Sequence, residues 1–302
     1  MNFAQVIDHE YAGEKEIIAS FLFDSGDGIA LIDPGPSATL PTVRAKLLAQ
    51  GISVGDISTL LLTHIHLDHA GATGSLVREN PRIEVYVHER GAPHLADPAR
   101  LLSSAKRLYG DGMERMWGEF LAVPEANLRA VSGGERLRVG SRNLEVLYTP
   151  GHASHHVSYF DESEGTAFVG DTCGIRLGNR GIVSPVTPPP DIDLELWESS
   201  LRQMEGRSPE RLFLTHFGFS DRVEWHFAEL RRRLGEWAQE VRDSLKNEAS
   251  DAERTARFAR WVMDDFRRAL PAEECALYER AGGLELSWQG LARYWRKKAA
   301  AA

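Results

Sequence analysis

A cluster of metal-binding residue types follows a short apolar run in the first quarter of the chain. The run is Leu60–Leu62, and three histidines and an aspartate follow it within six residues: His64, His66, Asp68 and His69. Neutral imidazole and carboxylate are ligands of zinc, iron and manganese. Three of the eleven histidines fall in these six positions, which disfavours a surface loop that is histidine-rich by accident. The stretch predicts a metal site at the end of a buried strand, where a rigid element holds the ligands.

Three more residues of these types stand at the ends of later segments with strand character. They are His152 in Thr149–His152, Asp171 in Gly170–Thr172 and His216 in Thr215–Gly218. Each alone is a weak signal, because a single histidine is more often hydrogen-bonded in the core and a single aspartate more often lies in a turn. Together with the first cluster they supply seven ligands, which is enough for two divalent ions.

Alternating strand and helix patterns before residue 220 predict an α/β domain. Strand character covers 16–23, 29–32, 58–62, 83–87, 137–139, 143–148, 157–160, 166–169 and 211–214. Helical patterns cover 40–50, 71–76, 93–120 and 193–204. The Gly- and Pro-rich segment 179–191 is predicted to be a loop with restricted backbone freedom.

After Asp221 the pattern becomes helical. Apolar residues recur at steps of three and four, which indicates a long amphipathic helix: Phe227, Leu230, Leu234, Trp237, Val241 and Leu245. Further helices are predicted over 252–268, 271–281 and 287–298, and no strand is expected after about residue 216. We therefore predict a catalytic domain over residues 1–220 and an all-helical C-terminal extension over residues 221–302. Packing of this extension on its own domain is the expected arrangement, and packing on a second subunit is the alternative.

Composition narrows the class of protein and the compartment. The formal charge of −9 disfavours a broad electrostatic attraction to nucleic acid. Cys173 and Cys275 do not make a disulfide framework, which favours a reducing compartment. The first residues lack the basic and apolar regions of a signal peptide, and no run of 18 apolar residues suggests a membrane span. The expectation is a cytoplasmic protein without membrane contact.

The order and spacing of the motifs resemble those of the metallo-β-lactamase-fold hydrolases. The shared segments are Thr-His-x-His-x-Asp-His-x-Gly, Thr-Pro-Gly-His, Gly-Asp-Thr and Thr-His, in this order between residues 15 and 220. The resemblance implies a four-layer αββα sandwich with the metals in a cleft at one edge of two β-sheets. It implies one metal on His64, His66 and His152, a second on Asp68, His69 and His216, and Asp171 bridging both. Asp33-Pro34-Gly35 resembles the strand-end turn that this family places near the site.

This ligand set predicts hydrolysis by a dinuclear centre. Two ions can share a carboxylate and a hydroxide, which then attacks a small ester, thioester or lactone, so that no Ser or Cys nucleophile is needed. Asp68 is the candidate catalytic residue, because it can orient the hydroxide or carry a proton. Thr63, Thr149 and Thr215 are candidate hydrogen-bond partners of the ligands. Zinc is the expected metal, with iron or manganese as alternatives, and the oligomeric state stays open.

The first interpretation is a glyoxalase II-like or thioesterase-like enzyme with a small-molecule substrate. Two departures separate it from close members: no Gly-Cys-Gly-Arg segment lies between Asp171 and His216, and Thr172 stands where quorum-signal lactonases have tyrosine. The second is a metal-dependent nuclease or phosphodiesterase, against which the net charge and the lack of a basic groove count. The third is a binding protein with a structural metal, although a structural zinc needs only four ligands. A flavin-linked reductase would need a flavin-binding segment, and the sequence shows none.

Several residues near these motifs are expected to be structural. Cys173 is interpreted as a small buried side chain, because a carboxylate already fills the bridging position. At most one of His88, His155 and His156 is expected to line the pocket, and His226 is expected to be structural. The basic runs Arg231–Arg233 and Arg296–Lys298 are interpreted as solvated helix faces.

Overall fold

The computed structural model describes residues 4–178 and 181–301, so Asn179 and Arg180 of the predicted loop lie outside the described residues. The first sheet consists of β1 (Ala4–Asp8), β2 (Ala19–Asp24), β3 (Ile29–Ile32), β4 (Ile57–Leu61), β5 (Glu84–His88) and β6 (Leu128–Val131), adjacent in chain order. The β1–β3 pairs are antiparallel and the β3–β6 pairs are parallel. The parallel connections carry the helices α1 (Leu40–Leu48), α2 (Leu67–Ala70), α3 (Thr73–Glu79), α4 (Ala92–Ala96), α5 (Ala99–Tyr109) and α6 (Met113–Trp117).

The second sheet also has six strands. They are β7 (Arg136–Val139), β8 (Arg142–Tyr148), β9 (Val157–Asp161), β10 (Thr166–Phe168), β11 (Arg211–Leu214) and β12 (Gly218–Ser220). Only the β10–β11 pair is parallel among these described strands, and α7 (Leu194–Glu205) makes the crossover between them. Asp193 begins α7 as predicted, because its side chain accepts a hydrogen bond from the Leu196 amide at 2.9 Å.

Strand alternation sorts the apolar side chains into layers. Phe21 and Phe23 of β2 pack between the two sheets, whereas Leu22 packs on the opposite face. The outer face of the first sheet is covered by α1 and α3, which contribute Val43, Leu47 and Leu76. The outer face of the second sheet packs against Trp197 and Leu201 of α7. The result is the predicted αββα sandwich.

Four helices follow β12: α8 (Val223–Ser244), α9 (Asp251–Ala269), α10 (Ala272–Ala281) and α11 (Leu284–Ala301). A capping box of Ser250 and Glu253 begins α9. The predicted apolar stripe lies on α8 as far as Val241 and is buried in the same cluster as Leu212 and Leu214 of the second sheet, whereas Leu245 lies just after the helix and is partly buried against that cluster. Among the described residues, no helix has the length and apolar character needed to cross a membrane. The boundary at residue 220 stays a prediction, although the helices and the sheet share one core cluster.

The sequence missed three short strands. β1 and β6 were not predicted, because they are half-exposed and too short to give a clear alternation. The expectation of no strand after residue 216 was wrong, since β12 pairs with β11 over Gly218–Ser220. The predicted irregular helix over 93–120 is three short helices, α4, α5 and α6.

Helix α11 contacts the proline-rich loop through a glycine. Thr187 donates a side-chain hydrogen bond to the Ser287 carbonyl oxygen at 3.0 Å. A methyl group on Gly290 would lie 2.0 Å from the Thr187 carbonyl oxygen and 2.8 Å from the Pro188 carbonyl carbon. No side chain larger than hydrogen fits this contact without backbone movement. The C-terminal helix therefore fixes the position of residues 187–190.

Gly290→Ala is expected to destabilise the protein by about 1–3 kcal/mol, although alanine favours helices, because the contact would be overpacked. Gly235→Ala is the matched control, since Gly235 lies inside α8 with no atom within 4 Å of an added methyl group. That substitution is expected to stabilise the protein by about 0.5–1 kcal/mol. Urea unfolding measures both, and equal stability of the two variants would show that α11 does not dock as described.

Candidate metal centre

Four strand ends meet at one edge of the sandwich. Asp33 follows β3 and the first histidine cluster follows β4, and these strands are parallel neighbours. Asp171 follows β10 and His216 follows β11, which are also parallel neighbours. Backbone hydrogen bonds join the two sheets here, from Ala19 to Thr215 at 2.8 Å and from Val157 to Thr63 at 2.8 Å. Because carboxyl ends of parallel strands share an edge, residues from distant parts of the sequence converge.

The first group of converging side chains is His64, His66, His152 and Asp171. His66 Nδ1 lies 3.0 Å from His64 Nε2 and 3.0 Å from His152 Nε2. Asp171 Oδ2 lies 3.5 Å from His152 Nε2 and 4.0 Å from His64 Nε2. Ligands about 2.0–2.1 Å from a tetrahedral zinc ion lie about 3.3 Å from one another. The four atoms therefore have the spacing of one coordination shell.

The second group is Asp68, His69 and His216. His216 Nε2 lies 3.3 Å from His69 Nε2 and 3.4 Å from Asp68 Oδ2. Asp171 also faces this group, since its Oδ1 lies 3.2 Å from His69 Nε2 and 3.8 Å from His216 Nε2. All seven side chains that the sequence predicted as ligands are thus brought together in two adjoining groups.

Asp171 presents one oxygen to each group. Oδ2 faces the first group and Oδ1 faces the second. Oδ1 is buried and has no hydrogen-bond partner among the described residues. A buried carboxylate oxygen without a partner is costly, and a bound cation would satisfy it. This arrangement fits a carboxylate shared by two metal ions.

The outer nitrogens of four histidines fix which tautomer is present. His152 Nδ1 donates to the Val186 carbonyl oxygen at 2.8 Å, and His216 Nδ1 donates to the Ile17 carbonyl oxygen at 2.7 Å. His69 Nδ1 donates to Asp33 Oδ2 at 2.8 Å, and His64 Nδ1 lies 3.1 Å from the Thr63 hydroxyl. When these rings are neutral, the proton stays on Nδ1 and each Nε2 presents its lone pair to the centre, as metal coordination requires.

Asp33 orients His69 of the second group and the two threonines beside it through hydrogen bonds. Its Oδ1 accepts from the Thr63 amide at 2.8 Å, and its Oδ2 accepts from Thr63 Oγ1 at 2.7 Å, Thr215 Oγ1 at 2.7 Å and His69. Asp33 is fully buried and has a φ of 48°, a left-handed conformation that aspartate adopts more readily than most residues. Gly35 follows with a φ of 75° and lies against His9, whose ring a methyl group would overlap. The sequence placed this turn near the site but did not assign Asp33 a role.

The charges of the two groups balance through protons or cations. Burial and neighbouring imidazoles hold the pKa of His64 well below its usual value and lower the pKa of His66 to about 4. Burial opposes protonation of His69, but Asp171, Asp33 and Asp68 raise its pKa well above the usual value. Burial disfavours the ionised form of Asp171, but His69 and His216 hold its pKa well below the usual range. A divalent cation in the second group would therefore displace a proton from His69.

Two histidines outside the ligand set support the centre. His156 Nε2 accepts a hydrogen bond from the Asp171 amide at 3.2 Å, and Thr149 and Thr172 hydroxyls lie 2.9 and 3.0 Å from its Nδ1. His155 stacks on His64 with ring centroids 6.1 Å apart, and of His88, His155 and His156 it alone lines the cavity described below. His226 is structural as expected, bonded to the Cys173 carbonyl oxygen at 2.9 Å. No sequence motif indicated the role of His156.

A cavity of about 510 Å³ opens beside the two groups. His66, Asp68, His152, Asp171 and His216 form one part of its wall. The rest comes from the turn at Tyr11, helices α5 and α6, the proline-rich loop and the α10–α11 region. A cavity of this size takes a small organic molecule. The centre is therefore accessible to a substrate from one side.

Comparison with known proteins agrees with this architecture. The sequence model of the Metallo-beta-lactamase superfamily matches residues 14–216. The chain belongs to this superfamily. The structural match with a metallo-beta-lactamase family protein from Thermus thermophilus covers 99% of this chain and 94% of that protein's chain, with 22% sequence identity and a TM-score of 0.70. This metallo-beta-lactamase superfamily member therefore shares the fold of that protein along nearly its whole length, including the C-terminal helices.

Curated relatives of this superfamily member include hydrolases. A hydroxyacylglutathione hydrolase of Legionella pneumophila is 31% identical over 47% of this chain and 41% of its own length. A thioesterase of Emericella nidulans is 27% identical over 62% of this chain and 42% of its own. The chain thus spans about two fifths of the length of these two relatives. A protein solved in a di-iron-bound form is 28% identical, with a TM-score of 0.51 over 70% of this chain and 93% of its own.

Proposed function

We propose that the protein is a dinuclear metal-dependent hydrolase of small esters, thioesters or lactones, with thioesters as the first choice. The observation that carries this proposal is Asp171, whose two oxygens face two complete groups of ligand atoms beside an open cavity. The names of the relatives support the choice, since they include a hydroxyacylglutathione hydrolase and a thioesterase. Hydrolysis of a thioester adds water across the C–S bond and yields a carboxylic acid and a thiol.

In this proposal His64, His66 and His152 would hold one ion, Asp68, His69 and His216 would hold the other, and Asp171 would be shared by both. Zinc is the expected metal, while the di-iron-bound relative supports iron as an alternative. Two bound ions supply Lewis acidity and a water that ionises near neutral pH. The same metals are the reason why no side-chain nucleophile is required.

Asp68 has the position of the proton-handling residue. Its side chain is 25% exposed and lines the cavity, whereas Asp171 is almost fully buried. Burial works against ionisation, but His69 and His216 lower the pKa of Asp68 to about 2, so the carboxylate is ionised at neutral pH. It can accept a hydrogen bond from the attacking water and hold it toward the substrate carbonyl carbon. Cys173 cannot act as nucleophile, because burial raises the pKa of its thiol far above the usual value.

A metal analysis combined with a substrate panel tests the proposal. Protein purified without chelator is expected to hold about two metal ions per chain. It is expected to hydrolyse an acyl thioester, with a loss of at least about 100-fold in kcat/KM after chelation and recovery on adding the metal back. The panel also contains a lactone, bis(p-nitrophenyl) phosphate and single-stranded RNA. Cleavage of RNA without thioester turnover would contradict the proposal, and so would folded protein that binds no metal.

A further inference from the structure

One face of α5 lines the cavity from end to end. The lining residues of this helix are Arg100, Leu101, Ser104, Ala105, Leu108 and Tyr109, which recur at steps of three and four. Arg100 stands at the first turn and Leu108 at the last, about 12 Å apart along the helix axis. The helix therefore presents a positive charge at one end of the cavity wall and apolar groups at the other.

The apolar end includes side chains that the fold does not otherwise need. Leu108 lies on α5 and Leu286 lies on α11. Both are half-buried and line the cavity, and neither belongs to a hydrophobic core cluster of the described residues. Trp117 lines the same region, stacks on Tyr11 at 5.6 Å and has a buried indole nitrogen without a hydrogen-bond partner in the described chain. Leu108 and Leu286 therefore offer an apolar surface to a ligand, and Trp117, a member of a small core cluster, borders the same part of the cavity.

The charged end lacks its counter-ions. Arg90 and Arg100 line the cavity and are exposed, and no carboxylate within residues 4–178 and 181–301 forms an ion pair with either. Asp191 lies on the same wall, where its carboxylate accepts the Ser154 hydroxyl at 2.5 Å and forms no ion pair with either arginine in the described part of the chain. In a chain of net charge −9, two such arginines at one cavity favour an anionic ligand.

Residues of both stretches of the cavity wall neighbour the ligand groups. On one side, His155 contacts His64 and His66, with ring centroids 6.1 and 5.5 Å away, and shares the wall with Arg90 and His94. On the other side, Tyr109 packs on Trp117 at 5.2 Å. Burial first and the Asp68 carboxylate second raise the pKa of Tyr11 to about 12, as expected for a phenol near the second ligand group. A molecule that spans the cavity would pass the two ligand groups.

From this placement we propose that the substrate is an amphiphilic acyl thioester, with an apolar acyl chain against Leu108, Leu286 and Trp117. Its thiol portion carries an anionic group that binds Arg90 and Arg100. The inference rests on the proposed function and narrows its substrate class. Each methylene buried against the apolar end contributes up to about fourfold in affinity. The anion contributes an attraction that salt screens, because both arginines are exposed.

Four thioesters distinguish the effect of the acyl chain from the effect of the anionic thiol portion. They are the octanoyl and acetyl thioesters of 3-mercaptopropionate, which is anionic, and of N-acetylcysteamine, which is neutral. Octanoyl is expected to exceed acetyl by at least about 100-fold in kcat/KM, since six more methylenes are buried. The 3-mercaptopropionate thioesters are expected to exceed the neutral ones by about tenfold at low salt, and this ratio should fall towards one at high salt.

Cavity variants and matched controls test which side chains cause the preference for a long acyl chain and which cause the preference for an anionic thiol. Leu108→Gln and Leu286→Gln are each expected to lower the octanoyl-to-acetyl ratio about tenfold, whereas Leu48→Gln, at a leucine 71% exposed on α1, leaves all four rates unchanged. Arg100→Gln is expected to lower the anionic-to-neutral ratio at least about fivefold, whereas Arg260→Gln on the exposed face of α9 does not. An octanoyl-to-acetyl ratio below threefold in the natural protein, or equal effects of the cavity variants and their controls, would overturn the inference.

The outcomes for the proposed function and for this inference differ. Equal turnover of all four thioesters refutes the amphiphilic substrate and leaves the hydrolase proposal standing. No turnover of any of them by protein holding two metals refutes thioester hydrolysis. In that case calorimetric binding of S-octyl-3-mercaptopropionate, a thioether that cannot be hydrolysed, decides the question. Binding at least 30-fold tighter than that of the S-ethyl homologue, lost in Leu108→Gln, supports the amphiphile-selective cavity, and equal binding of the two refutes it.

Discussion

Asp171→Ala is expected to reduce the bound metal from about two ions per chain to one or none. It is expected to lower kcat/KM by at least about 1,000-fold, more than the roughly 10–100-fold typical for loss of a ligand's hydrogen-bond partner. The reason is that one carboxylate serves both groups: Oδ2 lies 3.5 Å from His152 Nε2 and Oδ1 lies 3.2 Å from His69 Nε2. No other described carboxylate reaches both groups, because Asp68 lies only in the second. Elemental analysis of the purified variant measures the first effect, and thioester turnover measures the second.

Asp191→Ala is the control for this substitution. Asp191 is a carboxylate on the same cavity wall, but it bonds Ser154 and belongs to neither ligand group. That variant is expected to keep both metal ions. Asp171→Ala protein that keeps two metal ions, or that retains its turnover, would contradict the bridging role.

Asp33→Asn is expected to weaken metal binding at the second group by about 10–100-fold, although Asp33 touches no metal in our assignment. Asp33 receives four hydrogen bonds. Two of the donors are hydroxyl groups, which can also accept, whereas the Thr63 amide and His69 Nδ1 act only as donors here. The NH2 of asparagine would face either the Thr63 amide or the His69 ring. When it faces His69, this ring loses the acceptor that fixes its tautomer. The same conflict is expected to lower the free energy of unfolding by about 1–3 kcal/mol. Competition with a chromogenic chelator gives the metal affinity, and urea unfolding gives the stability.

Asp161→Asn separates a loss of stability from a loss of metal. Asp161 of β9 is fully buried and forms an ion pair of 2.6 Å with Arg142 of β8. It belongs to neither ligand group. We expect this variant to be destabilised by a comparable amount while it keeps its metal affinity. If Asp33→Asn binds metal as tightly as the natural protein does, then Asp33 is only a structural residue.

The candidate metal-binding cluster could be predicted because its signals are local. His64, His66, Asp68 and His69 lie within six residues, and the spacing of ligand types survives whatever fold surrounds it. The other three ligands could be found because each follows a recognisable apolar strand and a turn. The long helices after residue 220 were predicted for a similar reason, since an apolar stripe such as Phe227, Leu230 and Leu234 repeats over many turns. The short strands β1, β6 and β12 carry too few residues to show a period.

The residues that support the ligands could not be assigned from the sequence. Asp33 and Thr215 are 182 positions apart and share a hydrogen bond of 2.7 Å. His156 holds the Asp171 amide from a different strand end, and the sequence offers no feature that distinguishes it from His155. Such roles depend on the direction in which a side chain points, and this direction is set by packing of the two sheets rather than by neighbours in the chain.

The sequence by itself determined the ligand types, their order and therefore the class of chemistry, because coordination depends on which atoms are available. Only the tertiary structure decided how these ligand atoms are divided between the two groups. It placed the two oxygens of Asp171 on opposite groups and left Oδ1 without a protein partner. It also turned one face of α5 towards the cavity, so that both Arg100 and Leu108 line it. Distances between side chains that are far apart in sequence arise only when both sheets and the C-terminal helices have packed.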